Sequence, residues 1–157
     1  MGAEKRISTI STEKIKFVAK ATIAHIVTYM ICGLIAMALF NYFEHIETIG
    51  MKSADEINMG FLLLGQLVRG VLFGIVIWWI KDSIIGKKLA WLKLWAILVV
   101  VGIISVYTPA PCSIEGLIYL APSPGGELLP PTFVLGSIAE IMMQPLLFSI
   151  IVTWQRK

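Results

Sequence analysis

Two long apolar stretches of the sequence carry polar side chains at helical spacing. Gln66 and Arg69 lie in one stretch, and Ser137, Glu140 and Gln144 lie in the other. Residues three or four positions apart share one face of a helix, so each group would line a single face. An arginine, a carboxylate and amides at membrane depth are suited to binding a polar head group or a small solute, or to relaying a proton or an ion.

Arg69 and Glu140 are the residues of opposite charge that lie deepest in these stretches. At a rise of about 1.5 Å per residue, Arg69 lies about 15 Å and Glu140 about 12 Å from the outer end of its stretch. A charge at this depth is expensive unless it has a partner. We therefore predict that the two stretches touch and that Arg69 pairs with Glu140, with Gln66 and Gln144 completing the hydrogen bonds. The pair would be either the centre of a binding site or a structural lock that sets helix register.

Glu115 is a further acidic candidate. It lies in the stretch 108–131, which contains no lysine or arginine and is interrupted by prolines. Residues 113–120 are enough for about two helical turns. If this short helix lies flat in the membrane interface, Glu115 faces water, and if the helix dips between the spans, Glu115 approaches Arg69. The sequence leaves both arrangements open.

The histidines and cysteines show no pattern typical of a catalytic or metal site. His25, inside the first apolar stretch, is predicted to be buried and hydrogen-bonded to a neighbour, because no second ligand for a haem is found at matching depth. Cys32 and Cys112 form no metal-type pair, and a disulfide between them is not expected. We therefore assign no catalytic residue and no metal ligand, and any cofactor is unknown.

Membrane helices are needed to position these side chains. Of the 157 residues, 57% are hydrophobic and 15% are charged, which is too apolar for an ordinary soluble domain. A bilayer crossing takes roughly 20 helical residues, and four stretches are long enough: 17–43, 59–80, 89–107 and 132–154. We predict a single all-α membrane domain over residues 1–157. It would be a four-transmembrane-helix bundle with a short interfacial or re-entrant helix between spans three and four.

The distribution of charge predicts an orientation. Lysine and arginine cluster before span one, between spans two and three, and at the end of the chain. Cytoplasmic loops carry an excess of these residues, so both termini are predicted to be cytoplasmic, in what we expect to be a prokaryotic plasma membrane. The net charge is +3, but the basic residues lie at the ends of the apolar stretches and do not form a basic surface for nucleic acid. The expected partners are the lipid bilayer and either a second copy of the chain or another membrane protein.

Three local patterns indicate how the helices begin, pack and bend. Gly70 and Gly74 form a Gly-x-x-x-Gly pair, which lets another helix approach closely. The sequence from Ser53 has capping-box spacing, which predicts that span two begins near Ala54. Pro145 lies inside span four, where it removes a backbone hydrogen bond and favours a kink.

A longer pattern runs through spans two to four: QLVRG at 66–70, PCSIEGLIY at 111–119 and EIMMQ at 140–144. It resembles a pattern in uncharacterised small four-span prokaryotic integral membrane proteins. The resemblance implies no activity. The chain lacks the paired aspartates of lipoprotein signal peptidases and the paired cysteines of disulfide-generating quinone reductases, so those activities are disfavoured.

The sequence thus favours a small multi-pass membrane protein that is not an enzyme. It would bind a small ligand, lipid or solute, or serve as a transporter component, around the Arg69 and Glu140 pair. An intramembrane enzyme acting on a lipid or thiol substrate at the outer face is the second interpretation, with Cys112 and Glu115 as its candidate residues. A structural subunit of a larger membrane complex is the third.

Overall fold

Four helical segments form the part of the chain that the computed structural model describes, residues 2–40, 56–106, 114 and 131–154. They are α1 (Gly2–Phe40), α2 (Met59–Ile84), α3 (Ala90–Val99) with the π-helical turn that continues it (Val100–Ile104), and α4 (Pro131–Thr153). These residues contain no strand, so the predicted all-α class is confirmed for them. Apart from Ile114, the predicted short helix at 113–120 lies outside the described residues.

Three helical segments are long and apolar enough to cross a membrane: Ser11–Phe40 within α1, Met59–Ile84, and Val134–Thr153 within α4. The predicted third span, 89–107, corresponds to the shorter apolar segment Ala90–Ile104. That segment falls below the roughly 20 residues of a full crossing. It ends at Ser105, whose amide closes the π-helical turn with a 2.9 Å hydrogen bond to the Val100 carbonyl. Among the described residues, three helices therefore have spanning length, and the third of the four predicted spans stays a prediction.

The helix α1 lies at the centre of the fold, because α2 and α4 both pack along it. Both run antiparallel to α1, and α3 packs against α4 and only slightly against α2. The predicted contact between spans two and four is present, but it is made by aromatic rings. The centroids of Phe73 on α2 and Phe148 on α4 are 5.8 Å apart.

Gly70 and Gly74 bring α2 into backbone contact with α1. A Cβ atom at Gly70 would lie 2.9 Å from the Thr22 Cα, and one at Gly74 would lie 2.9 Å from the Val18 Cα. No other side chain fits in this space, so the neighbouring helix is what requires glycine at both positions. The close approach predicted for this pair is confirmed, and the partner helix is α1.

The end of α4 lies beside α1 at a lysine-rich end of the fold. Lys20 Nζ donates hydrogen bonds to the backbone carbonyls of Val152, at 3.1 Å, and Trp154, at 2.9 Å. These carbonyls lie at the C-terminal end of α4, where helical partners run out. Lys81, near the end of α2, lies 3.8 Å above the ring of Trp78. We call the end of the fold that contains Lys20 and Lys81 the lysine end.

At the opposite end, an asparagine cap determines where α2 begins. Asn58 Oδ1 accepts a 3.0 Å hydrogen bond from the Phe61 amide, and the helix starts at Met59. Glu56 precedes the helix in a turn, so the predicted start near Ala54 is wrong. The Asn58 side chain thus satisfies one of the free amides in the first turn of the helix, as asparagine does at helix N-termini.

Replacing Gly70 with alanine should lower the free energy of unfolding by roughly 1–3 kcal/mol, the range typical of overpacked cores. The new methyl group would overlap the α1 backbone at Thr22. The measurement is an unfolding titration with a denaturing detergent in mixed micelles. Gly65→Ala is the matched control, since it changes the same helix at a glycine with nothing within 4 Å of a Cβ. Equal stability of the two variants would contradict the close approach of the helices.

Candidate functional site

His25 is the buried centre of a polar cluster within the membrane-spanning part of the fold. Its side chain is only 1% exposed. Its Nε2 lies 3.0 Å from Gln66 Oε1, and its Nδ1 lies 3.4 Å from Gln144 Nε2. An amide oxygen accepts and an amide nitrogen donates, so these two contacts fit a neutral ring with its proton on Nε2. The predicted buried and hydrogen-bonded histidine is confirmed.

Aromatic rings surround this histidine on α2 and α4. The His25 ring meets Phe73 at 5.1 Å and Phe148 at 6.1 Å between centroids, both nearly perpendicular. Such edge-to-face contacts are favourable for aromatic rings. The apolar surroundings also make an unmade hydrogen bond costly. Side chains from three helices therefore hold the imidazole in one position.

The expected ion pair between Arg69 and Glu140 does not form, and the described residues contain no other ion pair. Glu140 is half-buried beside α1, where its Oε1 lies 3.7 Å from the position that a Cβ on Gly33 would occupy. Arg69 is exposed and lines a cavity that Glu140 does not reach. The two charged side chains thus face different parts of the fold.

A difference in depth explains why the two charges do not meet. Gln66 and Gln144 both contact His25, so they lie at the same level. Arg69 follows Gln66 by three residues toward the lysine end, and Glu140 precedes Gln144 by four residues toward the opposite end. At about 1.5 Å per residue, the two charged residues are offset by roughly 10 Å along the helices. Counting from the ends of the apolar stretches missed this offset, because the stretches do not begin at the same height.

A cavity of about 600 Å³ lies between α2, α3 and α4. One part of its wall is polar and is formed by His25, Arg69 and Gln144. Of the residues that the structure describes, only Arg69 brings a permanent charge to this wall. The rest of the wall is apolar, formed largely by Leu72, Phe73, Val76, Ile77, Ile80, Leu94, Ile97, Leu98, Val101 and Phe148. The cavity therefore combines a long apolar wall with one cationic, hydrogen-bonding region.

A hydrogen bond from a tryptophan joins the α3 wall of the cavity to α4. Trp95 Nε1 donates a 3.1 Å hydrogen bond to the Met142 carbonyl on α4. The preceding carbonyl, of Ile141, has no helical donor, because Pro145 lacks an N–H. Beyond Trp95 the chain forms the π-helical turn, a feature frequent at functional sites. Gly102 in that turn lines the cavity, and nothing lies within 4 Å of a Cβ placed there.

Glu115 and Cys112 lie outside the described residues, so the position of Glu115 stays a prediction. Cys32 is a buried free thiol. In the described ranges, no three histidine, cysteine, aspartate or glutamate side chains come together as a possible metal site.

Comparisons of the chain with protein-family models, with curated proteins and with solved structures find no match. The resemblance to small four-span prokaryotic membrane proteins therefore stays a prediction. The described fold and site define a small helical protein with three helices long and apolar enough to cross a membrane and with a cavity that has one polar region.

Replacing Gln66 with leucine should lower the free energy of unfolding by roughly 1–3 kcal/mol, because His25 Nε2 then loses its buried acceptor. Replacing His25 with phenylalanine in the same variant should restore part of the loss, because it removes the unpaired imidazole and leaves only the half-buried Gln144 amide without its contact. Gln144→Leu is the comparison, with a smaller expected effect because its contact is 3.4 Å long and its side chain is half-buried. Equal losses for Gln66→Leu and Gln144→Leu would contradict this assignment of the hydrogen bonds.

Arg69→Gln and Glu140→Gln should have additive effects on stability, because the side chains are not paired. A double-mutant cycle of unfolding free energies should close to within roughly 0.3–0.5 kcal/mol, as it does for separate sites. A coupling energy well above that range would show that the two residues do interact.

Proposed function

We propose that this protein binds an amphipathic small molecule in the cavity between α2, α3 and α4, and that it acts by binding or carrying that molecule without chemical conversion. The observation that supports the proposal is the composition of the cavity wall. Its apolar part suits a hydrocarbon chain, and its polar part, at His25, Arg69 and Gln144, suits a head group. The volume of about 600 Å³ lies within the range of roughly 300–1,000 Å³ that is usual for small-molecule sites.

The exposed residues of the cavity wall suggest how a ligand would enter. Four large apolar residues of its wall are also exposed on the outside of the fold: Leu72 and Val76 on α2, Ile97 on α3 and Val101 in the π-helical turn. They lie on α2 and on α3 with its π-helical turn, and α2 and α3 have little contact with each other. We therefore propose lateral entry from the membrane, between α2 and α3, without passage through water.

The cellular setting follows from the distribution of charge. We propose that the lysine end faces the cytoplasm of a prokaryotic plasma membrane, because cytoplasmic segments carry the excess of lysine and arginine. A transporter component would use the same cavity as its substrate site. The enzyme interpretation depends on Cys112 and Glu115, which lie outside the described residues, and no observation on the described residues favours it.

Filling the cavity should abolish binding. Gly102→Trp places a large side chain into the open space of the cavity, since nothing lies within 4 Å of a Cβ there. Native mass spectrometry of the gently solubilised protein should show a bound small molecule on the unmodified chain and at least tenfold less of it on this variant. Gly65→Trp is the matched control, because it adds the same side chain at an equally open glycine that does not line the cavity.

Two results would contradict this proposal. One is an unmodified protein that retains no small molecule under conditions where it remains folded. The other is equal retention by the Gly102→Trp and Gly65→Trp variants, which would place the bound molecule elsewhere on the surface.

A further inference from the structure

The charge of the cavity points to the kind of head group that it would accept, an inference that rests on the proposed binding function. Arg69 is cationic at any physiological pH. It lines the cavity at membrane depth, and it forms no ion pair with any residue that the structure describes. A charge in this setting is costly without a partner of opposite charge. The side chain is therefore available to neutralise a ligand.

The acidic residue Glu140, on α4, does not approach this charge. Glu140 faces Gly33 on α1, does not line the cavity and is offset from Arg69 by roughly 10 Å along the helices. Among the described residues, the polar wall of the cavity thus carries a positive charge and no negative one.

The hydrogen-bonding groups of the polar wall also favour an anionic ligand. The guanidinium group offers five N–H donors in a fixed fork, which suits the paired oxygens of a carboxylate or a phosphate. Gln144 uses one amide N–H toward His25 and has a second. In the tautomer that fits these contacts, His25 contributes no further donor, because its single N–H is directed to Gln66. The available donors therefore outnumber the acceptors.

The apolar wall cannot by itself select a ligand from the membrane. Lipid chains are as apolar as leucine or valine side chains, so moving a hydrocarbon chain from the bilayer to this wall gains little free energy. Discrimination must come from the head group. Since bidentate pairing with an anion is the strongest contact that Arg69 can make, the head group decides which membrane-soluble molecule is bound.

We propose that the cavity binds a single-chain lipid anion, with its carboxylate or phosphate head on Arg69 and Gln144 and its hydrocarbon chain along α2 and α3. The positively charged region would hold the head at membrane depth, where a bilayer alone does not stabilise a charge. A neutral lipid of the same chain length would bind less tightly, because it leaves the guanidinium group without an anion.

Three photoactivatable probes with the same chain test this proposal: oleate, oleyl phosphate and oleyl alcohol. Each carries a diazirine on the chain and is crosslinked to the protein in phosphatidylcholine nanodiscs at mildly alkaline pH, where both acidic heads are ionised. Peptide mapping then measures labelling of the cavity wall. The two anions should label it about tenfold more than the alcohol, because a hydrogen bond to a charged group contributes at least that factor.

Variants at Arg69 assign the preference to one side chain. Arg69→Gln should bring the anions to the level of the alcohol, and Arg69→Lys should keep part of the preference, since it retains the charge but loses the bidentate fork. Lys93→Gln is the matched control, because it removes one positive charge from an exposed position on α3 that does not line the cavity. It should leave the preference unchanged. If Arg69→Gln does not fold, the probe comparison in the unmodified protein still decides the question.

The possible outcomes separate this inference from the proposed function. Labelling of the cavity wall by all three probes to the same extent would overturn the anion inference and keep the binding function. No labelling of the cavity wall by any probe would overturn both. A preference for anions that emerges only in Glu115→Gln would show that Glu115 already neutralises Arg69, which also overturns the inference. Whichever of the two anionic probes labels the cavity wall more identifies the preferred head group as carboxylate or phosphate.

Discussion

The backbone contact between α1 and α2 is the constraint on which the rest of the structure depends. At Gly70 and Gly74 the two helices approach until a single added carbon would lie 2.9 Å from a Cα atom of α1. This contact leaves no freedom to slide or rotate one helix against the other. One turn further along α1 from Thr22 is His25, and one turn back along α2 from Gly70 is Gln66, so the hydrogen bond between them follows from the glycine contact.

The same contact explains how polar groups are tolerated at membrane depth. The centre of the fold contains only neutral groups, an imidazole and two amides, and their hydrogen bonds satisfy one another across three helices. The charged groups lie off this centre, with Glu140 beside α1 and Arg69 on the cavity wall. Burying neutral groups that hydrogen-bond to one another costs less free energy than burying an ion pair, because the desolvation of two charges can exceed their attraction.

The cavity itself reflects uneven packing. Helices in a membrane associate through close packing and hydrogen bonds, because the hydrophobic effect contributes little free energy to their association in lipid. α1 and α2 have the small residues for such contact, whereas Gly102 beyond α3 has nothing within 4 Å of a Cβ. α3 is held to α4 by Trp95 and has little contact with α2. A short helix attached mainly on one side therefore leaves an open space beside Arg69.

Much of the fold was predictable from the sequence. The second and fourth spans were expected at 59–80 and 132–154 and occur as Met59–Ile84 and Pro131–Thr153, since length and apolar composition are local properties. The sequence also indicated the glycine contact and a buried, satisfied His25. It did not indicate the partners of His25, which are 41 and 119 positions away. The glutamines were instead assigned to an ion pair that the structure does not form.

The sequence by itself determined which segments are helical and apolar, and which polar side chains share a helix face, because these follow from composition and from the helical period. Only the tertiary structure decided that Gln66 and Gln144 meet at His25 while Arg69 faces a cavity. Side chains turn by about 100° for each residue along a helix, so partners across helices depend on a register and a rotation that are settled by packing, here by the approach of α1 to Gly70 and Gly74.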